Sequence, residues 1–161
     1  MRIDWVAVNA SPLITLFRSG QAGLLPQLFQ KIIVPSTVWN EVTDGEHDDP
    51  AARELIVEPW PVREIVITSP RVAAWNLGDG ETSVLSYALD NAACRAVVDD
   101  AEARRCARTL GIRTLGTGGV LILAKQRGLI ISVADGLNRL RQAGLWLSDD
   151  VTRLLLERAG E

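Results

Sequence analysis

The feature that most constrains this fold is an alternation. Short apolar runs rich in β-branched residues are separated by stretches with helical spacing. Trp5 to Val8, Ile32 to Val34 and Arg95 to Val98 read as buried strands, and Ile112 to Leu115 as a shorter one. Between and after them lie predicted helices. Ser11 is placed as the cap of the first, with Pro12 at its first position. Leu24 to Phe29 is the second, and Ser36 opens a third that carries Val38, Trp39 and Val42. Asp79 to about Asn91, Ala101 to Leu110, Val120 to Arg127 and Ser132 to Ala143 follow. Ser148 caps the last, with Asp149 and Asp150 in its first turn, where the helix dipole favours acids. The pattern weakens after the acidic loop from Asp44 to Pro50. There Ala51 to Leu55 reads as a helical turn, and Ile56 to Ile67 as one or two strands broken by Pro59 and Pro61. Strands separated by helices imply a parallel sheet covered on both faces. The expected class is therefore α/β, a three-layer α/β/α sandwich with a mostly parallel central sheet, in a single domain spanning 1–161.

Composition narrows the function. The chain has 161 residues, is 47% hydrophobic and 23% charged, and carries a formal charge of -3. It lacks the basic footprint of a passive nucleic-acid binder. A bound dication reverses the local sign at a cluster of acids, so the net charge does not exclude a nuclease. Cys94 and Cys106 lack metal-ligand spacing and read as reduced core thiols of a cytoplasmic protein. The opening MRIDWVAVNA has an Asp within its apolar run and reads as neither signal peptide nor anchor. No apolar stretch is long enough to cross a bilayer, so no membrane partner is expected. The five tryptophans and the apolar C-terminal half are compatible with a homodimer.

Four side chains interrupt segments that otherwise belong to a core. Asn9 follows Val6-Ala7-Val8, and Asp99 follows Ala96-Val97-Val98 with Asp100 behind it. Glu41, three residues after Val38 and beside Val42, is expected to face inward. Glu81 heads the stripe of Val84, Leu85, Ala88 and Leu89. Ligands and catalytic groups of α/β sheets gather at the carboxyl ends of the strands, where Asn9 and Asp99 fall. A buried carboxylate is costly without a cation, and oxygen donors of this kind suit a hard metal. Each residue also has a plainer role open to it. Asn9 fits a turn or cap, Asp99 or Asp100 a cap of the next helix, Glu81 a helix N-terminus, and Glu41 a solvated helix end. Arg104, Arg105 and Arg108 share a helix that could meet phosphates, and for Arg105 a solvated face is preferred. The Gly116–Gly119 turn lacks the Lys and spacing of a P-loop, so tight backbone packing is preferred there. His47, the lone histidine, lies in the acidic loop and offers no nucleophilic triad.

Five segments in order carry a resemblance. These are Asn9 to Ile14; Val34-Pro35 with Val38 and Glu41; Leu77-Gly78-Asp79-Gly80-Glu81; Val97 to Asp100 with Ala103-Arg104; and Leu115 to Leu121. Together they resemble the PIN-domain family, with the match closest to a VapC-like prokaryotic subgroup. The resemblance implies metal-dependent hydrolysis of RNA by an endoribonuclease using Mg²⁺ or Mn²⁺, often as the toxin of a toxin–antitoxin pair. The implied partners are an RNA substrate and a cognate antitoxin protein. By position, the four catalytic and metal-binding residues are Asn9, Glu41, Glu81 and Asp99, with Asp100 competing for the last place. Ser11, Arg104 and Thr117 are candidates for substrate contacts, and Thr117 stands where some PIN domains carry a further acid. The family's usual first residue is Asp, whereas this chain has Asn9. The rival reading is a PIN-fold module that binds RNA or a protein without cutting, and the missing charge at residue 9 is what favours it.

Overall fold

The structure, a computed structural model, describes residues 4–44 and 49–161. Its elements run β1 (Trp5–Val8), α1 (Ala10–Arg18), α2 (Leu24–Leu28), β2 (Lys31–Pro35), α3 (Ser36–Thr43), α4 (Pro50–Leu55) and β3 (Pro61–Glu64). They continue with α5 (Pro70–Ala73), α6 (Asp79–Asp90), β4 (Arg95–Val97), α7 (Ala101–Leu110), β5 (Thr114–Leu115), α8 (Thr117–Gln126), α9 (Val133–Gln142) and α10 (Asp149–Arg158). His47 lies outside the described residues.

The strands form one sheet in the order β3-β2-β1-β4-β5. Every pairing is parallel, so the expected mostly parallel sheet is wholly parallel among the described residues. Successive side chains of a strand point to opposite faces. Val6, Ala7 and Val8 are all fully buried, so helices cover both faces of the centre and the architecture is an α/β/α sandwich. The buried apolar residues of strands and helices join in one cluster, which includes Leu13, Leu25, Leu85 and Leu121. No described helix is long and apolar enough to cross a membrane.

Strand order reverses direction at β1, whose sequence neighbour β2 lies on one side and β4 on the other. Such a switch point opens a crevice beyond the carboxyl ends of the two strands. The register pairs Val8 with Val97, so the crevice is flanked by Asn9 and by the chain leaving β4 towards Asp99.

Several boundaries differ from the sequence expectation. Ser11 does not cap α1. Asn9 occupies the N-cap position and Ser11 is an exposed residue of the first turn. The sequence pattern favoured Ser-Pro as cap and first residue, but the chain turns into the helix directly from β1. The glycine-rich turn is shorter than expected, because α8 begins at Thr117 and takes in Gly118 and Gly119. A Cβ on Gly118 would lie 2.6 Å from Leu155 Cδ1, and one on Gly119 2.6 Å from Leu115 Cδ1. Close packing therefore accounts for both glycines. Pro61 begins β3 instead of interrupting it, which suits an edge strand.

A candidate metal and phosphate site

Asn9 sits at the point where β1 gives way to α1, and its backbone N–H donates to the Val97 carbonyl at 3.1 Å, tying it to β4. An asparagine at an N-cap normally accepts a bond from the helix backbone. Here the side chain makes no such bond. Asn9 is 4% exposed, and its Oδ1 is buried without a hydrogen-bond partner. Leaving a buried acceptor unpaired costs about 1–3 kcal/mol, so the capping role does not explain this side chain.

What faces that oxygen is the first turn of α6. A Cβ on Gly80 would lie 2.8 Å from Asn9 Oδ1 and 3.3 Å from Glu41 Oε1. The two oxygens thus approach one point from β1 and from α3, and only a residue without a side chain leaves that point open. Glu41 departs from expectation. Its helical spacing predicts an inward-facing residue, yet Glu41 is exposed. Val38 and Val42 are buried on its helix, whereas the longer Glu41 side chain leaves the apolar stripe and carries its carboxyl over Gly80. That tip is partly desolvated, which raises the Glu41 pKa above its ordinary value; the negative charges of Glu81 and Asp79 raise it further.

Glu81 is half-buried in the first turn of α6 and folds back, its Oε2 lying 2.5 Å from where a Gly78 Cβ would sit. Its charge acts on Glu41, so the two groups share one electrostatic environment. Asp79 joins them, a residue that the sequence pattern does not mark as part of the site. The only signal for it was its place between two glycines in Leu77-Gly78-Asp79-Gly80-Glu81.

The other half of the crevice is built on Asp99, which is half-buried. Its Oδ1 accepts the Thr117 backbone N–H at 2.8 Å, and its Oδ2 accepts the Thr117 hydroxyl at 2.5 Å. Thr117 is fully buried at the start of α8. Asp99 is therefore held in a fixed orientation, with spare lone pairs on both oxygens. Asp100 is occupied elsewhere, because its Oδ2 accepts the Ala103 N–H at 2.9 Å and caps α7. Arg104 is half-buried and forms no ion pair with a described residue. A Cβ on Gly116 would meet Arg104 Nη1 at 2.9 Å and Asp99 Oδ1 at 3.2 Å, so this glycine separates a guanidinium from the carboxylate half of the crevice. Arg105 is exposed and paired with Glu102 at 3.3 Å, and Arg108 is also exposed.

The acids do not close into a cage. Among the described residues, no three His, Cys, Asp or Glu side chains form a group able to hold a metal as they stand. The donor set still fits a hard dication. An orphaned amide oxygen and a carboxyl burdened by two neighbouring negative charges are both relieved by a cation between them. An open depression of about 470 Å³, lined by Pro26, Phe29, Trp60 and Val62 among others, lies near the start of β2. It is lined by no ionisable side chain and stands apart from these groups.

Residues 5–161 match a family described as a PIN domain. The match spans nearly the whole chain, and the protein belongs to the PIN-domain family. PIN domains are typically nucleases that use divalent metal ions, which gives the chain its general functional class. A comparison with curated proteins finds no match.

Proposed function

We propose that the protein is an endoribonuclease that hydrolyses RNA phosphodiester bonds with Mg²⁺ or Mn²⁺. The observation that carries this reading is the buried, unpartnered Asn9 Oδ1, aimed with Glu41 Oε1 at the open space over Gly80. Asn9, Glu41 and Glu81 would hold the cation, with Asp99 on the opposite wall. When bound, a dication supplies Lewis acidity to the scissile phosphate and to the attacking water. Asn9 is an acceptor already buried at the strand end, so it needs no further ordering to serve as a ligand. Thr117 keeps the Asp99 carboxylate aimed by donating both its N–H and its hydroxyl. Arg104, with no carboxylate partner among the described residues, would meet a phosphate oxygen of the RNA backbone. Ser11 lies in the first turn of α1, two residues after Asn9, and is exposed to a substrate entering there.

A role as a toxin restrained by an antitoxin belongs to this reading, as does residence in the cytoplasm. The two thiols fit a reducing compartment. Both are buried and free, and burial pushes Cys94 up to about 12 and raises Cys106. A second reading, a module that binds RNA or protein without cutting, is favoured by the missing charge at residue 9 and the open arrangement of the acids.

The test is cleavage of a single-stranded RNA by purified protein with Mn²⁺ and with chelator, beside Glu81→Gln. Metal-dependent cleavage that Glu81→Gln abolishes supports the nuclease. Metal-dependent RNA binding without cleavage supports the module. Cleavage undiminished in Glu81→Gln contradicts the proposed site.

A further inference from the structure

One hydrogen bond ties together the two helices that bring Glu41 and Glu81 to the crevice. A hydroxyl within a helix commonly bonds a carbonyl three or four residues back in the same helix. Thr15, Thr43, Thr109 and Thr152 all do so. Thr37 does not. Its hydroxyl leaves α3 and donates to Oγ of Ser83 on α6 at 2.7 Å. Ser83 is 4% exposed. Among the described residues this is the only side-chain hydrogen bond that joins α3 to α6.

Its place in the packing gives it a further consequence. Residues three or four apart on a helix share a face. Thr37 and Glu41 therefore point the same way from α3, and Gly80 and Ser83 the same way from α6. The helices meet at two levels. At one, Val38 Cγ2 and Glu41 Oε1 lie 3.5 Å and 3.3 Å from where a Gly80 Cβ would sit. At the other stand the two hydroxyls. Apolar contact has no preferred direction, so Val38 against Gly80 leaves α3 able to slide and roll on α6. A short hydrogen bond depends steeply on distance and angle and removes that freedom. Glu41 is one turn from Thr37, and Glu81 is two residues from Ser83. The bond therefore fixes how far apart their carboxyls are held. Those carboxyls repel, since the charge of Glu81 bears on Glu41. A neutral hydroxyl pair opposes their separation and adds no charge to the crevice.

We propose that Thr37 and Ser83 are a positioning pair, which sets the spacing at which Glu41 and Glu81 share a dication. This role rests on the cation site proposed above. The pair acts through the two acids and not on the ion or the RNA.

The test is Mn²⁺ titration by calorimetry, at a temperature where melting curves show each variant folded. Thr37→Val keeps the shape of the side chain and removes the hydroxyl, and Ser83→Ala removes its acceptor. Thr37 is exposed, so its variants should fold. Each single variant should lose about tenfold in Mn²⁺ affinity, the lower end for a residue that orients metal ligands. The double variant should lose no more than either single one, because both remove the same bond. Thr37→Ser should bind as the wild type does. Thr43→Val, which loses a bond within α3 alone, should leave the affinity unchanged. Wild-type affinity in both Thr37→Val and Ser83→Ala overturns the positioning role and leaves the cation site standing. An equal loss in Thr43→Val, or losses that add in the double variant, overturns it in favour of general loosening. A wild type that binds no Mn²⁺ overturns the cation site and this role with it.

Discussion

Gly80→Ala separates the stability of the fold from the working of the site. The new methyl would stand 2.8 Å from Asn9 Oδ1, 3.3 Å from Glu41 Oε1 and 3.5 Å from Val38 Cγ2. The first distance is below any normal carbon–oxygen contact, so something must move. Glu41 is exposed and swings aside at little cost, whereas Asn9, 4% exposed on a short side chain, has little room. Overpacking of this kind costs roughly 1–3 kcal/mol. Replacing glycine by alanine in a helix offsets up to about 1 kcal/mol of that. The net loss of roughly 0–2 kcal/mol lowers Tm by at most about 8 °C in a chain of this size. The site suffers more, because both oxygens are driven from the point they share. Mn²⁺ affinity should fall at least tenfold, or about 1.4 kcal/mol in binding. Differential scanning calorimetry with and without Mn²⁺, together with isothermal titration, reads both quantities. A folded Gly80→Ala variant that binds Mn²⁺ as tightly as the wild type would show that Asn9 and Glu41 do not share an ion.

Three further outcomes are expected. Thr117→Val removes the hydroxyl bond to the Asp99 carboxylate and should cost about 1.5 kcal/mol in urea unfolding, the lower end for a bond to a charged group, since Asp99 is half-buried; an unchanged midpoint would show that Thr117 does not hold Asp99. Without metal, the raised pKa of Glu41 means the folded state holds its proton more tightly, so that group's contribution is fully present below its unfolded value and is lost as pH rises through the folded one. Glu41→Gln should flatten this part of the metal-free stability profile while weakening Mn²⁺ binding, and an unaltered profile would contradict it. Asn9→Asp places a carboxylate at a buried position beside Glu41, so the metal-free protein should lose stability as pH rises above the acid range and regain it with Mn²⁺; a variant indifferent to Mn²⁺ would remove residue 9 from the site.

Much of this arrangement is legible in the sequence because burial on both faces leaves continuous apolar runs. Val6 to Val8 and Ala96 to Val98 announce the central strands, and the polar residue ending each run marks the crevice. Periodicity speaks for Cβ directions and not for side-chain tips. Glu41 belongs to the face of Val38 and Val42, yet its long side chain delivers the carboxyl to an exposed rim over a glycine on another helix. Local signals also compete. Ser11-Pro12 reads as a helix start, but the hydrogen bond from Asn9 to Val97 fixes where the chain leaves the sheet, and the helix begins earlier. The short α5 leaves no mark in the sequence pattern, because four residues are too few for a period. Asp99 and Thr117, eighteen positions apart, are joined only by the crossover that lays β5 beside β4. Asp79 gave no pattern of its own, since an acid in a helix's first turn is ordinary.

The central claim is that Asn9, Glu41 and Glu81 hold a divalent cation together, and the most direct test is Mn²⁺ titration of the metal-free protein by calorimetry, beside Glu41→Gln and Glu81→Gln. Saturable binding is expected in the wild type and should be severely weakened in each variant while the melting curve stays cooperative. A wild type that shows neither saturable heat nor a rise in Tm at millimolar Mn²⁺, or variants that bind as the wild type does, would contradict it.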